Sequence, residues 1–213
     1  MDLNKIEHKV FKVSINDIDD LIDICKDCFP NSFNYQGPRY MLKKKWLLYL
    51  KSGSVEIYAI RINNEIACFY ELIIDIQLFN QTRKKSEKHL MRYLTYLYVS
   101  ITKPRCVIPT LKKYMKEKIF TTPAMQINHK GDSFDINKMA WGELQGVHSK
   151  YRGSGLSKIM QKHILNRCIE LGKNVIGCVN APDNIPVMNL HKAFGYAIAS
   201  ENKYGFVMKK FLP

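Results

Sequence analysis

The sequence predicts a mixed α/β domain: a central, mostly antiparallel β-sheet flanked by helices. Three observations predict it. Runs rich in β-branched and aromatic residues at 9–14, 55–61, 66–74, 139–147, 175–179, 196–200 and 205–211 alternate with segments of helical apolar spacing. A hydrophobic content of 46% and 24% charged residues are ordinary globular values, and 213 residues suffice to bury one good core. Near position 150 an apolar strand passes through a turn with two glycines directly into an amphipathic helix. With no repeat, low-complexity tract or linker in view, residues 1–213 read as a single domain.

Each element has a local reason. Residues 9–14 alternate apolar and polar, as a first strand should. Asn16 or Asp17 can cap a helix carrying Ile18, Leu21, Ile22 and Cys25, ending near Phe29-Pro30. Pro38 stands at the start of a second helix with Tyr40, Met41, Trp46, Leu47 and Leu50 on its apolar side, and Lys43, Lys44 and Lys45 read as its wet face. Strands 55–61 and 66–74 join through the hairpin signal Asn63-Asn64. After the strand 139–147, a helix over 153–171 is stopped by Gly172; strand 175–179, helix 186–194 and two final strands complete the sheet.

Residues 79–137 read as an insertion of one or two helices, 87–100 and 110–119, separated by Lys103-Pro104. Residues 79–130 hold 12 Lys/Arg against 2 Asp/Glu, so +10 of the chain's +14 lies in this one lobe. The first residues are no signal peptide, and the longest uncharged apolar stretch, 93–101, is far short of the roughly 20 residues that span a bilayer. A cytoplasmic location is the default expectation. The six cysteines are scattered; Cys25-x-x-Cys28 lacks a second pair and falls on a helix, so ordinary buried thiols are expected and no metal site.

The most informative run is Val147-His148-Ser149-Lys150-Tyr151-Arg152-Gly153-Ser154-Gly155-Leu156-Ser157. Glycines there let the backbone turn sharply and bring N–H groups close to a ligand. The helix behind adds unpaired donors and partial positive charge, so the turn is an anion cradle suited to phosphate or pyrophosphate. A Walker-type loop needs Lys-Ser/Thr after its last glycine, where this chain has Leu156-Ser157. A dinucleotide fingerprint needs a third glycine where Lys158 stands. What remains is Arg152-x-x-Gly155-x-Ser157.

In this run the sequence resembles the GNAT superfamily of acyl-CoA-dependent N-acyltransferases, whose cofactor loop reads Gln/Arg-x-x-Gly-x-Gly/Ala. Ser149 stands for the proline of a preceding Val-His-Pro-Glu-Tyr, and Ser157 for the last small residue. Downstream, Asn184-Ile185-Pro186-Val187-Met188-Asn189-Leu190-His191-Lys192-Ala193-Phe194-Gly195-Tyr196 is similar to the family's Asn-x-x-Ala-x-x-Leu-Tyr-x-Lys-x-Gly-Phe. The two motifs cover 139–212; the agreement before residue 35, around Cys28-Phe29-Pro30, is looser.

The resemblance implies acetyl-CoA as cofactor, its diphosphate held by the amides of Gly153, Gly155, Leu156 and Ser157 in a loop that includes Ser154. Arg152 then either adds charge or braces the loop. The strand before the loop would splay from its neighbour and pair its backbone, at Gln145 and Val147, with the pantetheine arm. Asn184 matches a residue that contacts the cofactor; its other reading is a helix N-cap. His191 stands where relatives commonly carry the Tyr that protonates the leaving thiolate. At its ordinary pKa of about 6.5 a histidine is only about a quarter charged at pH 7. A packing histidine is the alternative. Glu143 is the best candidate general base, on shared strand parity with Gln145 and Val147; where the Glu of some relatives would fall, this chain has Trp141. A surface carboxylate, with water chains in place of a base, is the other reading. His148 reads as structural.

The acceptor expected is a small-molecule primary amine, with a phosphate-bearing amino sugar as one candidate suited to the basic lobe. That lobe also suits peripheral contact with an anionic membrane. Two other classes compete: a CoA-binding sensor without catalysis, and a basic nucleic-acid-binding module using Tyr93, Tyr96, Tyr98 and Tyr114, for which no specific recognition motif is present. The sequence is silent on oligomeric state.

Overall fold

A computed structural model describes residues 9–86, 89–105, 135–202 and 205–213. Its seven-stranded sheet has the order β1-β2-β3-β4-β5-β7-β6, with β1 Val10–Lys12, β2 Val55–Ile62, β3 Glu65–Ile73, β4 Met139–Val147, β5 Val175–Asn180, β6 Ala197–Asn202 and β7 Gly205–Phe211. Every pairing is antiparallel except β4 with β5. The expected sheet is therefore present, with helices on both faces.

On one face lie α1 (Ile18–Cys28), α2 (Arg39–Ser52) and α3 (Ile76–Ser86). Ile18, Leu21, Ile22 and Cys25 are buried at the predicted helical spacing. A 3₁₀ turn over Ile15–Asp17 precedes α1, capped by Ser14, whose hydroxyl accepts from the Asn16 amide while Asp17 reaches back to the Ser14 amide. Asp17, one of the expected caps, holds the N-cap position of α1 without a side-chain bond of its own to the helix. Helix α2 ends at Gly53 in the left-handed region (φ 71°). Lys43 sits on the wet face, paired with Asp19 at 2.8 Å, but Lys45 does not. Its Nζ lies over the rings of Tyr35, Trp46 and Tyr49, 5.1–5.6 Å from their centroids. The hairpin turn forms as predicted, Asn63 and Asn64 both taking positive φ.

Helix α3 falls partly where an insertion was expected. Ile76 and Phe79 are buried in the core, Phe79 against the Tyr49 ring at 5.2 Å, so the start of the basic segment is part of the fold. Its apolar positions are few and its polar ones many, which hides a helix whose one buried edge is short. Helix α4 (His89–Thr102) matches the predicted 87–100; the predicted helix 110–119 lies outside the described residues. Among the described residues no helix is long and apolar enough to cross a membrane.

The opposite face carries α5 (Leu156–Glu170) and α6 (Ile185–Ala193). Leu156, Met160, Ile164 and Cys168 pack on Tyr70, Leu72, Ala140 and Ile176. Arg167 of α5 is bound to the buried Glu56 of β2 at 2.9 and 3.0 Å, with Lys12 and Tyr58 as further donors. Burial alone would raise the Glu56 pKa; the bonds from Arg167, Lys12 and Tyr58 outweigh it and hold the carboxyl at about 2.

Candidate functional site

The sheet divides in its middle. β4 and β5 pair from Met139 with Val175 only as far as Gly142 with Cys178. Beyond Gly142, β4 keeps β3 on one side to Val147 but has no strand on the other. Its backbone edge there is open to an added strand. Gly142 is required at the point of division: a Cβ there would collide with the Tyr70 hydroxyl. The β3–β4 register slips just after, with Glu71 opposite Leu144 and Leu72 opposite Gly142, leaving Glu143 as a bulge residue.

β4 then enters a 3₁₀ turn over Ser149–Tyr151, capped by His148, whose Nδ1 accepts from the Lys150 amide; the structural reading of His148 holds. Asp27 at the end of α1 accepts from the Ser149 amide and hydroxyl at 2.7 and 2.8 Å, and Glu65 accepts from Tyr151 Oη at 2.8 Å. These anchors fix the approach to the glycine turn. Gly153 and Gly155 have φ of 81° and 84°, with open space where a Cβ would stand. Among the described residues the amides of Gly153, Gly155, Leu156 and Ser157 meet no acceptor, and α5 opens directly behind them without a side-chain cap. Donors, open space and a helix start together fit a diphosphate. Ser154 turns inward instead: its hydroxyl donates to the Tyr151 carbonyl at 2.6 Å. Arg152 is exposed, its Nε 3.5 Å from the Val147 carbonyl. Gln145 and Val147 face α5, Gln145 Nε2 reaching the Ser157 carbonyl at 3.5 Å.

His191 lies on the same face, at the point of division. It is 4% exposed, its Nδ1 2.8 Å from Asn180 Nδ2 and 3.5 Å from Sγ of Cys178, the last β5 residue to touch β4. Since Asn180 Nδ2 can only donate, Nδ1 accepts and Nε2 carries the proton, buried and without a partner among the described residues. Burial lowers the imidazole pKa to about 4, so at pH 7 about one molecule in a thousand is charged. The pH dependence near 6.5 expected from an ordinary histidine is thus displaced downward. Asn184 holds the N-cap position of α6, its carbonyl accepting from the Met188 amide at 3.1 Å, but its side chain makes no cap hydrogen bond.

Glu143 is not where strand parity places it. The bulge breaks the alternation, so Glu143 acts on Glu71 and Tyr35, on the α1/α2 face, while Gln145 and Val147 face α5. Glu71 is a residue the sequence reading missed. It is 2% exposed, and its Oε1 has no hydrogen-bond partner among the described residues. Burial, then the neighbouring Glu143, raise its pKa to about 8 against the opposing pull of Lys45. A signal was available: Glu71 is the one charged residue in the apolar run 66–74. Away from this site, a hollow of about 450 Å³ at the β1 edge, lined by Lys12, Leu50, Gly53 and Val55, includes none of these residues.

No family model matches the chain. One curated protein, Protein TIC 214 of Physcomitrium patens, is 32% identical over 119 residues, 52% of this chain. The chain spans only 7% of that protein's length. Solved structures agree over nearly the whole chain. The PaiA N-acetyltransferase of Thermoplasma acidophilum, in complex with coenzyme A, superposes with a TM-score of 0.58 at 10% identity, covering 97% of this chain and 99% of its own. YncA of Salmonella typhimurium, a putative acetyltransferase with its cofactor acetyl-CoA, gives 0.58 at 11% over 98% and 95%. A GNAT-family acetyltransferase of Staphylococcus aureus gives 0.55 at 12% over 96% and 99%. With its divided β4–β5 pair and glycine turn, the chain has the fold of the GNAT acetyltransferases.

Proposed function

We propose that the chain is an acetyl-CoA-dependent N-acetyltransferase acting on a primary amine by direct transfer in a ternary complex. The observation that carries the reading is the parting of β4 from β5 after Gly142 and Cys178, with a cradle of amides at its mouth that meet no acceptor among the described residues. The amides of Gly153, Gly155, Leu156 and Ser157 would hold the diphosphate, and several charge-assisted hydrogen bonds there outweigh the helix dipole, worth about 0.3–1 kcal/mol. The free edge of β4 past Gly142, including Gln145 and Val147, would pair with the pantetheine arm, and the exposed Asn184 would meet it from the other wall. When bound, the cofactor supplies an activated thioester acyl group.

This chain's residues then order the reaction. Glu143, at the bulge on the α1/α2 face, would take a proton from the acceptor's ammonium. His191, neutral at pH 7, presents an N–H at Nε2 on the opposite face; it stabilises developing charge by hydrogen bonding and is no imidazolium acid. The acceptor is a small-molecule amine, and the basic segment between α4 and β4 favours one bearing phosphate, such as an amino sugar.

The low imidazole pKa also favours a second reading, a CoA-binding sensor without turnover. Calorimetric titration with acetyl-CoA and CoA, followed by thiol release across a panel of primary amines, tests both. The enzyme reading requires binding and amine-dependent thiol release; binding alone leaves the sensor, and no binding overturns both.

A further inference from the structure

On the α5/α6 face, Tyr70 of β3 reaches the point where the sheet divides. It stands opposite Gln145, and its ring runs back along β4 until the hydroxyl lies where a Cβ of residue 142 would be. Gly142 is also the last β4 residue to pair with β5, through Cys178. A side chain at 142 would close this place, so the glycine admits the hydroxyl. Tyr70 is 2% exposed, and a phenol buried so far usually spends its O–H on a partner. This one makes no hydrogen bond with a described residue; unlike Oε1 of Gln161 on the same face, it is not sealed off. The titratable groups around it are the thiols of Cys178 and Cys168 and the Tyr196 phenol, all held neutral at pH 7 by burial.

We infer that Tyr70 is a catalytic residue, whose hydroxyl meets the cofactor's sulfur at the closed end of the divided sheet and gives its proton to the departing thiolate. This rests on the acetyltransferase reading. With the diphosphate at the glycine turn, the pantetheine arm would follow β4 back from Val147 towards Gly142, about 16 Å of extended strand, so that its far end comes to the Tyr70 hydroxyl. His191 is neutral at pH 7, so the proton for sulfur has another source. The acceptor nitrogen bonds to the thioester carbon, the C–S bond breaks and its electron pair goes to sulfur. The phenol O–H bond breaks, the proton joins sulfur, and the phenolate recovers a proton from solvent as the thiol leaves. Burial holds the phenol above its ordinary pKa of 10.0, so Tyr70 enters each turnover protonated. The same apolar surroundings raise the pKa of a thiol formed there, which keeps the transfer from running uphill.

Difluorotyrosine in place of Tyr70 alone keeps the side chain's shape and gives one ¹⁹F signal at the site. Titrated with CoA, that signal should move; with desulfo-CoA, which lacks the sulfur, it should move less. CoA that binds without moving it overturns the contact and leaves the cofactor site standing. Tyr70→Phe removes one oxygen and keeps the ring. With acetyl-CoA and a panel of primary amines its kcat should fall by about a hundredfold while KM for acetyl-CoA stays close to the parent's. An unchanged kcat overturns the acid role. The fluorinated phenol is the stronger acid, so the alkaline limb of its kcat profile should lie at lower pH than the parent's; a role in packing alone does not move it, and an unmoved limb overturns the assignment even if Tyr70→Phe fails to fold. If the ¹⁹F signal responds to the sulfur but no amine releases thiol, the contact is upheld and the acetyltransferase reading has failed.

Discussion

The two walls of the divided sheet differ in how they treat a carboxylate. On the α5/α6 wall the buried Glu56 is bound by Arg167, Lys12 and Tyr58. On the α1/α2 wall the buried Glu71 has an oxygen, Oε1, with no hydrogen-bond partner among the described residues. Burial raises the pKa of both; only at Glu56 do charged donors reverse the shift. A buried carboxyl is thus ionised or neutral at pH 7 according to the donors its wall supplies.

The largest expected effect sharpens this contrast through pH. The Glu71 pKa lies above its ordinary value of 4.5, so its contribution to stability is whole below about 4.5 and lost as pH rises through about 8. The Glu56 pKa lies below, so its contribution is whole above about 4.5 and lost as pH falls toward about 2. Denaturant unfolding at pH 9 should find Glu71→Gln more stable than the parent by roughly 4 kcal/mol relative to the difference at pH 5. Glu56→Gln should lose about 2–3 kcal/mol at pH 7 and much less at pH 2.5.

Next in size is the glycine turn. Gly155→Val forces a β-branched residue to φ 84°, at a strain of about 1–2 kcal/mol, and fills the space before the amides. Calorimetry should show CoA affinity reduced by about a hundredfold. His191→Ala should lower turnover by roughly tenfold, with no pH inflection between 6 and 8 removed along with it, since the imidazole is already neutral there. The smallest effect is that of Asn184→Ala. Because the side chain caps nothing, thermal stability should stay within about 0.5 kcal/mol while CoA affinity falls a few-fold.

The same contrast explains what was legible in the sequence. The glycine turn is local: Arg152 to Ser157 are contiguous, and glycine at 153 and 155 announces left-handed backbone before any contact is known. The surroundings of Glu71 are assembled from residues far apart in the chain, Tyr35, Lys45 and Glu143, none in a motif. The misplaced parity of Glu143 has a specific cause: a bulge adds one residue against β3, and strand alternation carries no mark of it. Lys45 was hidden in a run of three lysines, of which only its neighbours stay wet, and burial of His191 depends on Asn180 and Cys178, eleven and thirteen positions away.

Backbone ¹H–¹⁵N NMR during titration with CoA tests the central claim most directly. The amides of Gly153, Gly155, Leu156 and Ser157 should move furthest, followed by those of residues 143–147, saturating together. If CoA binds while these amides stay still and others respond, or if it does not bind, the cradle is not the cofactor site and the account fails.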